Sequence, residues 1–214
     1  MDIYTRALII TVIIFVSGIG IGMLIEEYRV REVNRNMLEL QSLYNDGRLL
    51  AMYIQSLNKS YCNEMLKRNL EYNSKIYQFG AKLDEYERLN RFTPELEEQQ
   101  KLYNLLQFQF LLNSIKLKKE CNFTYFNVIH LYRKKNVTLK EEVDTKTMGG
   151  ILWDLKMKCG NKVMLIPLRT DANQTSVAMF VHQYNISRYP ATIIDGRVIE
   201  GLVSLSELNE ITKC

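Results

Sequence analysis

The pattern of apolar positions begins with an uncharged run from Ala7 to Ile25. Its nineteen residues, at about 1.5 Å of helical rise per residue, match the roughly 30 Å hydrocarbon core of a bilayer. Residues 1–25 are therefore expected to form a short tail and a single transmembrane helix. A cleaved signal peptide is the alternative, but the run is long for one and has no A-x-A-like site before Glu26.

Residues 26–120 carry apolar side chains at the three- and four-residue spacing of amphipathic helices, which predicts a helical stalk and then a helical hairpin. Within the stalk, Asn45-Asp46-Gly47 is a turn or helix-end signal. Further on, Thr93-Pro94-Glu95 supplies an N-cap hydroxyl, a first-turn proline and an acid, and so starts a new helix. We interpret the apolar stripes as packing within the chain. A coiled coil between copies, and hence a homo-oligomer, is the alternative, although no strict heptad persists.

Two cysteines are predicted to pair across the hairpin. If the hairpin turns at Phe92, Cys62 lies thirty residues before the turn and Cys121 twenty-nine after it. Antiparallel helices with the same rise per residue bring these positions to one level. We therefore expect a disulfide between Cys62 and Cys121.

The periodicity changes in residues 121–214, where short β-rich runs alternate with helical patterns. A strand at 126–132, a helix at 149–158 and a second strand at 162–168 predict a βαβ unit. After it come a helix, a β-hairpin that turns at Asp195-Gly196, and a final helix, at 173–184, 191–199 and 204–213. The fold class expected for this part is α/β.

The segment YNISRYPATIIDGRVIEGLVSLSELNEI, from Tyr184 to Ile211, resembles the thioredoxin-like fold superfamily. That family shows tyrosine, a short loop, proline, strand, turn, strand, glycine and helix in this order. Pro190 occupies the place of the family's cis-proline. The resemblance covers about residues 124–214 and implies a thioredoxin-like domain in residues 121–214.

The chain departs from the redox-active members of that family at the catalytic pair. Those members carry CxxC after the first strand, at a helix N-terminus that lowers a thiol pKa. Here the place reads Arg133-Lys134-Lys135-Asn136-Val137-Thr138, and no cysteine lies between Cys121 and Cys159. Dithiol exchange of the thioredoxin type is therefore not expected.

The stretch 133–147 is polar and charged, and we interpret it as a solvated loop. The functional alternative is a docking edge formed by this loop and the backbone beside Pro190, because thioredoxin-like proteins bind extended chains next to that proline. The contact residues implied by the resemblance are Tyr189, Pro190 and Ala191.

The resemblance also bears on the last two cysteines. In a thioredoxin-like topology, Cys159 and Cys214 both end helices at the pole opposite Pro190, and we expect them to form a structural disulfide. Two free, partly buried thiols are the alternative, which a reducing cytoplasm would favour.

Composition and sequence motifs bear on location. The net charge of +4 is spread along the chain, which gives nucleic-acid binding little support. Arg29, Arg31 and Arg35 after the apolar run favour a cytoplasmic body by charge alone. The even number of cysteines and five N-x-[ST] sequons, where roughly two would arise by chance, favour a body outside the cytoplasm. We expect the latter, with glycosylation at Asn58, Asn122, Asn136, Asn173 and Asn185.

The remaining motifs add little chemistry. Gly18 and Gly22 form a G-x-x-x-G pair that would let a second helix approach closely in lipid, although glycine is also simply common in membrane helices. His130 and His182 have no metal-ligand spacing to Cys, Asp or Glu, so no metal or cofactor is expected. The apolar neighbours of Trp153 predict that it is buried in the core.

Three functions remain in view. The first is a redox-inactive, membrane-tethered binding or scaffold protein with a protein partner. The second is an accessory subunit of a larger membrane enzyme, because oligosaccharyltransferases carry thioredoxin-like subunits on the outer face. The third is a thiol oxidoreductase with a noncanonical cysteine, which requires an exposed thiol of low pKa. Because CxxC is absent, we expect a protein that is not an enzyme.

Overall fold

The computed structural model describes residues 3–56, 59–88 and 94–214, which contain six α-helices and four strands. The chain divides into two compact units, Met1–Ser42 and Leu43–Cys214. Asn58, Phe92 and Thr93, which carry a predicted sequon, hairpin turn and N-cap, lie outside the described residues. In order, the elements are α1 (Ile3–Ser56), α2 (Cys62–Arg88), α3 (Pro94–Cys121), β1 (Phe126–Tyr132), α4 (Leu139–Cys159), β2 (Val163–Arg169), α5 (Thr175–Gln183), β3 (Ala191–Ile194), β4 (Arg197–Glu200) and α6 (Leu205–Thr212).

The first unit holds the apolar start of α1. Ile3–Ile25 is long and apolar enough to cross a membrane, with a mean hydropathy of 2.8 and none of its apolar window buried. Gly18 and Gly22, the predicted helix-packing pair, have no described atom within 4 Å of where a Cβ would stand. Their backbone is therefore open to a neighbour.

The turn predicted at Asn45-Asp46-Gly47 is wrong, because α1 continues through it to Ser56. A Cβ on Gly47 would overlap the hydroxyl group of Tyr72 in α2. The glycine therefore serves a close approach of two helices and does not end one.

Helices α2 and α3 form the predicted antiparallel pair. Cys62 at the start of α2 is bonded to Cys121 at the end of α3, and their Cα atoms are 5.7 Å apart. Midway along, the Tyr103 hydroxyl of α3 occupies the place where a side chain on Gly80 of α2 would stand. The shared register matches the nearly equal spacing of the two cysteines, thirty and twenty-nine residues, from the predicted turn.

The strands form one mixed sheet in the order β2-β1-β3-β4. β1 and β2 are parallel, whereas β3 is antiparallel to β1 and to β4. The predicted β1 has the observed bounds, and the hairpin predicted at 191–199 is formed by β3 and β4. The predicted order of strands and helices is confirmed.

The two faces of the sheet are covered by different helices. Val128 and Ile194 face α4 and α6 in a core that includes Leu152 and Leu208. The neighbouring Asn127 faces the other way, because side chains alternate along a strand, and its Oδ1 accepts a hydrogen bond from Ser114 of α3 at 2.6 Å. The hairpin thus belongs to the same compact unit as the sheet.

The hairpin also covers β2, the strand at one edge of the sheet. The Tyr77 hydroxyl donates to the Leu165 carbonyl at 2.8 Å. The buried Asn104 amide donates to the Arg169 carbonyl and accepts from the Arg169 amide, both at 2.8 Å. Side chains of α2 and α3 therefore form hydrogen bonds with backbone groups of β2 that would otherwise be free to pair with another strand.

Helix α4 begins ten residues earlier than predicted, at Leu139 rather than residue 149. The interpretation of 133–147 as a loop is therefore wrong beyond Thr138. The Thr138 side chain accepts from the Glu141 amide at 3.2 Å and caps the helix. The first turns of α4 are mostly exposed, so they lack the apolar stripe on which the prediction relied.

Candidate functional site

The three predicted docking residues lie where β3 begins. Pro190 and Ala191 are buried and Tyr189 is half-buried. The Tyr189–Pro190 peptide bond is cis. Ala191 pairs with Leu131, near the end of β1, so this segment lies at the end of the sheet where the parallel strands β1 and β2 end. We call this end of the sheet the docking edge. The Pro190 carbonyl accepts from the Gly201 amide at 2.7 Å.

The loop after β1 is joined to this segment through Arg133. Its guanidinium lies over the Tyr189 ring, 4.9 Å from the centroid. Two of its nitrogens donate to the Glu141 carboxylate at 2.8 and 2.7 Å, which raises the pKa of Arg133. The structure thus brings together the loop and the Pro190 segment, which the sequence predicts as one edge.

Asp171, which follows β2, fixes the backbone of the same loop. Its carboxylate accepts from the amides of Lys134 and Lys135 at 2.9 and 2.5 Å and from the Arg169 side chain at 2.7 Å. Burial alone would raise the pKa of Asp171, but the hydrogen bonds from Lys135, Arg169 and Lys134 lower it below its ordinary value. Two backbone donors of the loop are therefore already occupied by a carboxylate.

Ion pairs from the hairpin complete this edge. The Arg169 side chain is 5% exposed and lies 3.4 Å from Glu97 of α3. Lys135 pairs with the same carboxylate at 2.8 Å, and Lys134 pairs with Glu87 of α2 at 2.5 Å. A hydrogen bond from Lys135 is the largest influence on Glu97 and lowers its pKa. Lys134, Lys135 and Arg169 are thus all paired with carboxylates of the hairpin.

The stretch before Pro190 is fixed by Glu200 of β4. Its carboxylate accepts from the Ser187 and Arg188 amides at 2.6 and 3.1 Å, and from the Ser187 hydroxyl. The Ser187 amide is the main cause of the lowered pKa of Glu200. Backbone groups on both sides of the predicted docking edge are thus held by acidic side chains.

The cysteines lie away from this edge. Cys159 and Cys214 form the second predicted pair, with Cα atoms 5.6 Å apart, beside the core between the sheet and α6. Cys159 ends α4, whose other end lies beside the Arg133 loop. All four cysteines of the chain are paired. Thiol chemistry at the edge would need a residue that the loop does not carry.

The histidines and sequons take the following places. His130 is buried in β1 and His182 is exposed on α5. Within the described ranges, no group of three or more His, Cys, Asp or Glu side chains could hold a metal ion. The four sequon asparagines in these ranges are all exposed, at Asn122, Asn136, Asn173 and Asn185.

Sequence reasoning missed Glu141, Asp171 and Glu200 as the groups that fix the edge. For Glu141 a signal was present, since threonine followed three residues later by glutamate is a helix-start pattern. Asp171 accepts from amides 36 and 37 residues earlier in the chain, and Glu200 from amides 12 and 13 residues earlier. No local sequence pattern predicts such contacts.

In comparisons with known proteins, neither a family model nor a curated protein sequence matches this chain.

Proposed function

We propose that this protein is a membrane-tethered, redox-inactive binding or scaffold protein of thioredoxin-like fold, with its body outside the cytoplasm. One observation carries the proposal. In such a fold the thiol pair would lie in the loop after β1, and here that loop has no cysteine. Its backbone amides donate to Asp171, and its Arg133 stacks on the ring of Tyr189.

Several features support the fold and the location. The fold is supported by the order of elements after residue 121, which begins with the parallel unit β1-α4-β2 and ends with the hairpin β3-β4 and the helix α6. The apolar helix Ile3–Ile25 would be the tether. Two disulfides favour an oxidising compartment, because the cytoplasm keeps thiols reduced.

The binding mode follows from the edge itself. An extended segment of a partner would lie beside Tyr189 and Pro190, where Arg133 already covers one face of the tyrosine ring. Binding there needs no thiol and no cofactor. Because Asp171 and Glu200 already hold the loops through hydrogen bonds, little conformational entropy of the loops would be lost on binding.

The redox part is tested by an insulin-reduction assay on the full-length protein in detergent. We expect no turnover above that of the Cys159→Ser/Cys214→Ser variant, which should lose about 2–4 kcal/mol of stability because its chain constraint is gone. Turnover in the unaltered protein that this variant abolishes would contradict the proposal.

The binding part is tested by a photo-crosslinking amino acid placed at Tyr189 in native membranes. Met179, 71% exposed on α5, is the matched control position. We expect a discrete protein adduct from position 189 and none from position 179. Equal labelling at both positions would show that the edge has no special affinity for protein.

A further inference from the structure

The four sequon asparagines in the described ranges share one backbone conformation. Asn122, Asn136, Asn173 and Asn185 have φ angles of 54°, 53°, 58° and 50°. Asparagine tolerates this left-handed region better than most residues, so a turn explains an asparagine at each position. The turn does not explain the serine or threonine two residues later.

At two of the four sequons that hydroxyl has a structural partner. Thr138, two residues after Asn136, caps α4 by accepting from the Glu141 amide. Ser187, two residues after Asn185, donates to Glu200. Folding requirements alone could maintain both of these sequons.

The other two sequons have no such explanation. Thr124 and Thr175 are exposed, and neither hydroxyl takes part in a hydrogen bond within the described ranges. Their asparagines, Asn122 and Asn173, are exposed in turns after α3 and β2. Here an accessible carboxamide and an unused hydroxyl stand at the spacing that a glycosylating enzyme recognises.

We propose that Asn122 and Asn173 are N-glycosylation sites. The co-reactant is a lipid-linked oligosaccharide pyrophosphate, supplied by the membrane on the outer side. The asparagine amide nitrogen bonds to the anomeric carbon, the bond from that carbon to the phosphate oxygen breaks, and the lipid pyrophosphate leaves with the electron pair. The nitrogen releases one proton, and no electrons are transferred to or from the protein.

The two glycans would lie at opposite ends of the parallel strands β1 and β2. Asn122 precedes β1 and is next to Cys121, whereas Asn173 follows β2 and is two residues beyond Asp171. The glycan on Asn173 would therefore share an edge with the Pro190 segment and limit the size of a partner there. This inference rests on the outside location in the proposed function.

The test uses full-length protein isolated from its own cells and mapped as nonreduced peptides after glycosidase release in heavy-oxygen water. We expect ¹⁸O-labelled aspartate at positions 122 and 173. Thr124→Ala and Thr175→Ala should each remove one glycan without changing unfolding, whereas Thr124→Ser and Thr175→Ser should retain it. Bare asparagines with both disulfides intact would overturn the glycosylation and leave the outside location standing. Bare asparagines with free thiols would overturn both.

Discussion

His130 is expected to make the protein acid-sensitive. Its ring lies under α4, beside the Thr145 backbone, Gly149, the cross-strand neighbours Thr192 and Pro167, and the ring of Tyr132, whose centroid is 5.6 Å away. None of these carries a charge, because burial also raises the pKa of Tyr132. Burial lowers the pKa of His130 to about 4, and a hydrogen bond with the Thr145 backbone opposes this only in part.

The loss of stability on acidification follows from the pKa of His130 in the unfolded and in the folded chain. The ordinary pKa of 6.5 applies to the unfolded chain, and about 4 applies to the folded one. A difference of roughly 2.5 units corresponds to about 3 kcal/mol. As the pH falls, the unfolded chain binds the proton at a higher pH than the folded one. The contribution of neutral His130 to the free energy of unfolding is therefore complete above pH 6.5 and is lost as the pH falls towards 4.

The assay is urea unfolding of the full-length protein in detergent, followed by the fluorescence of Trp153, the single tryptophan. His130→Leu removes the titrating ring, and His182→Gln, at the exposed histidine, is the control. Between about pH 7.5 and pH 4.5, the original protein and the control should lose about 2–3 kcal/mol more than His130→Leu. Parallel pH profiles for all three proteins would refute the reasoning.

Two further substitutions test the contacts that shape the fold and the site. Asp171→Asn should lower the free energy of unfolding by about 2–3 kcal/mol, because charge-assisted hydrogen bonds to the loop are lost. The control is Asp144→Asn, at an ion pair whose Lys140 side chain is 81% exposed. It should change the free energy of unfolding by less than about 1 kcal/mol. Equal effects in urea unfolding would remove the special role of Asp171. Gly47→Ala should destabilise by about 1–3 kcal/mol through its clash with Tyr72, whereas Gly150→Ala, in open space on α4, should stabilise by about 0.5–1 kcal/mol. A stabilising Gly47→Ala in thermal unfolding would contradict the close helix contact.

Most elements of the second unit could be predicted because each has a local pattern of its own. β1 and β3 are short buried runs next to turn residues, and Ser204 starts α6 with a capping box. The Cys62–Cys121 pair follows from counting residues along two helices. These inferences need only the spacing of apolar residues within an element and the turn or capping residues at its ends.

The errors arise where a long-range contact decides what a residue does. Gly47 has the identity of a helix breaker, but the approach of Tyr72 is what requires it. Trp153 has apolar neighbours in sequence yet is 48% exposed, edge-on to Tyr77 of α2. The prediction that it is buried is therefore wrong, because the surface beside α4 is only partly covered by the hairpin.

The candidate site shows the same division between local and long-range information. The sequence establishes that the loop after β1 has no cysteine, and this excludes dithiol chemistry there. It cannot establish what the loop does with its backbone donors. In the structure Asp171 accepts from two of them, at Lys134 and Lys135. A carboxylate in that place would oppose a thiolate by like charge, so the edge differs from a redox site in its electrostatics as well as in its missing thiols.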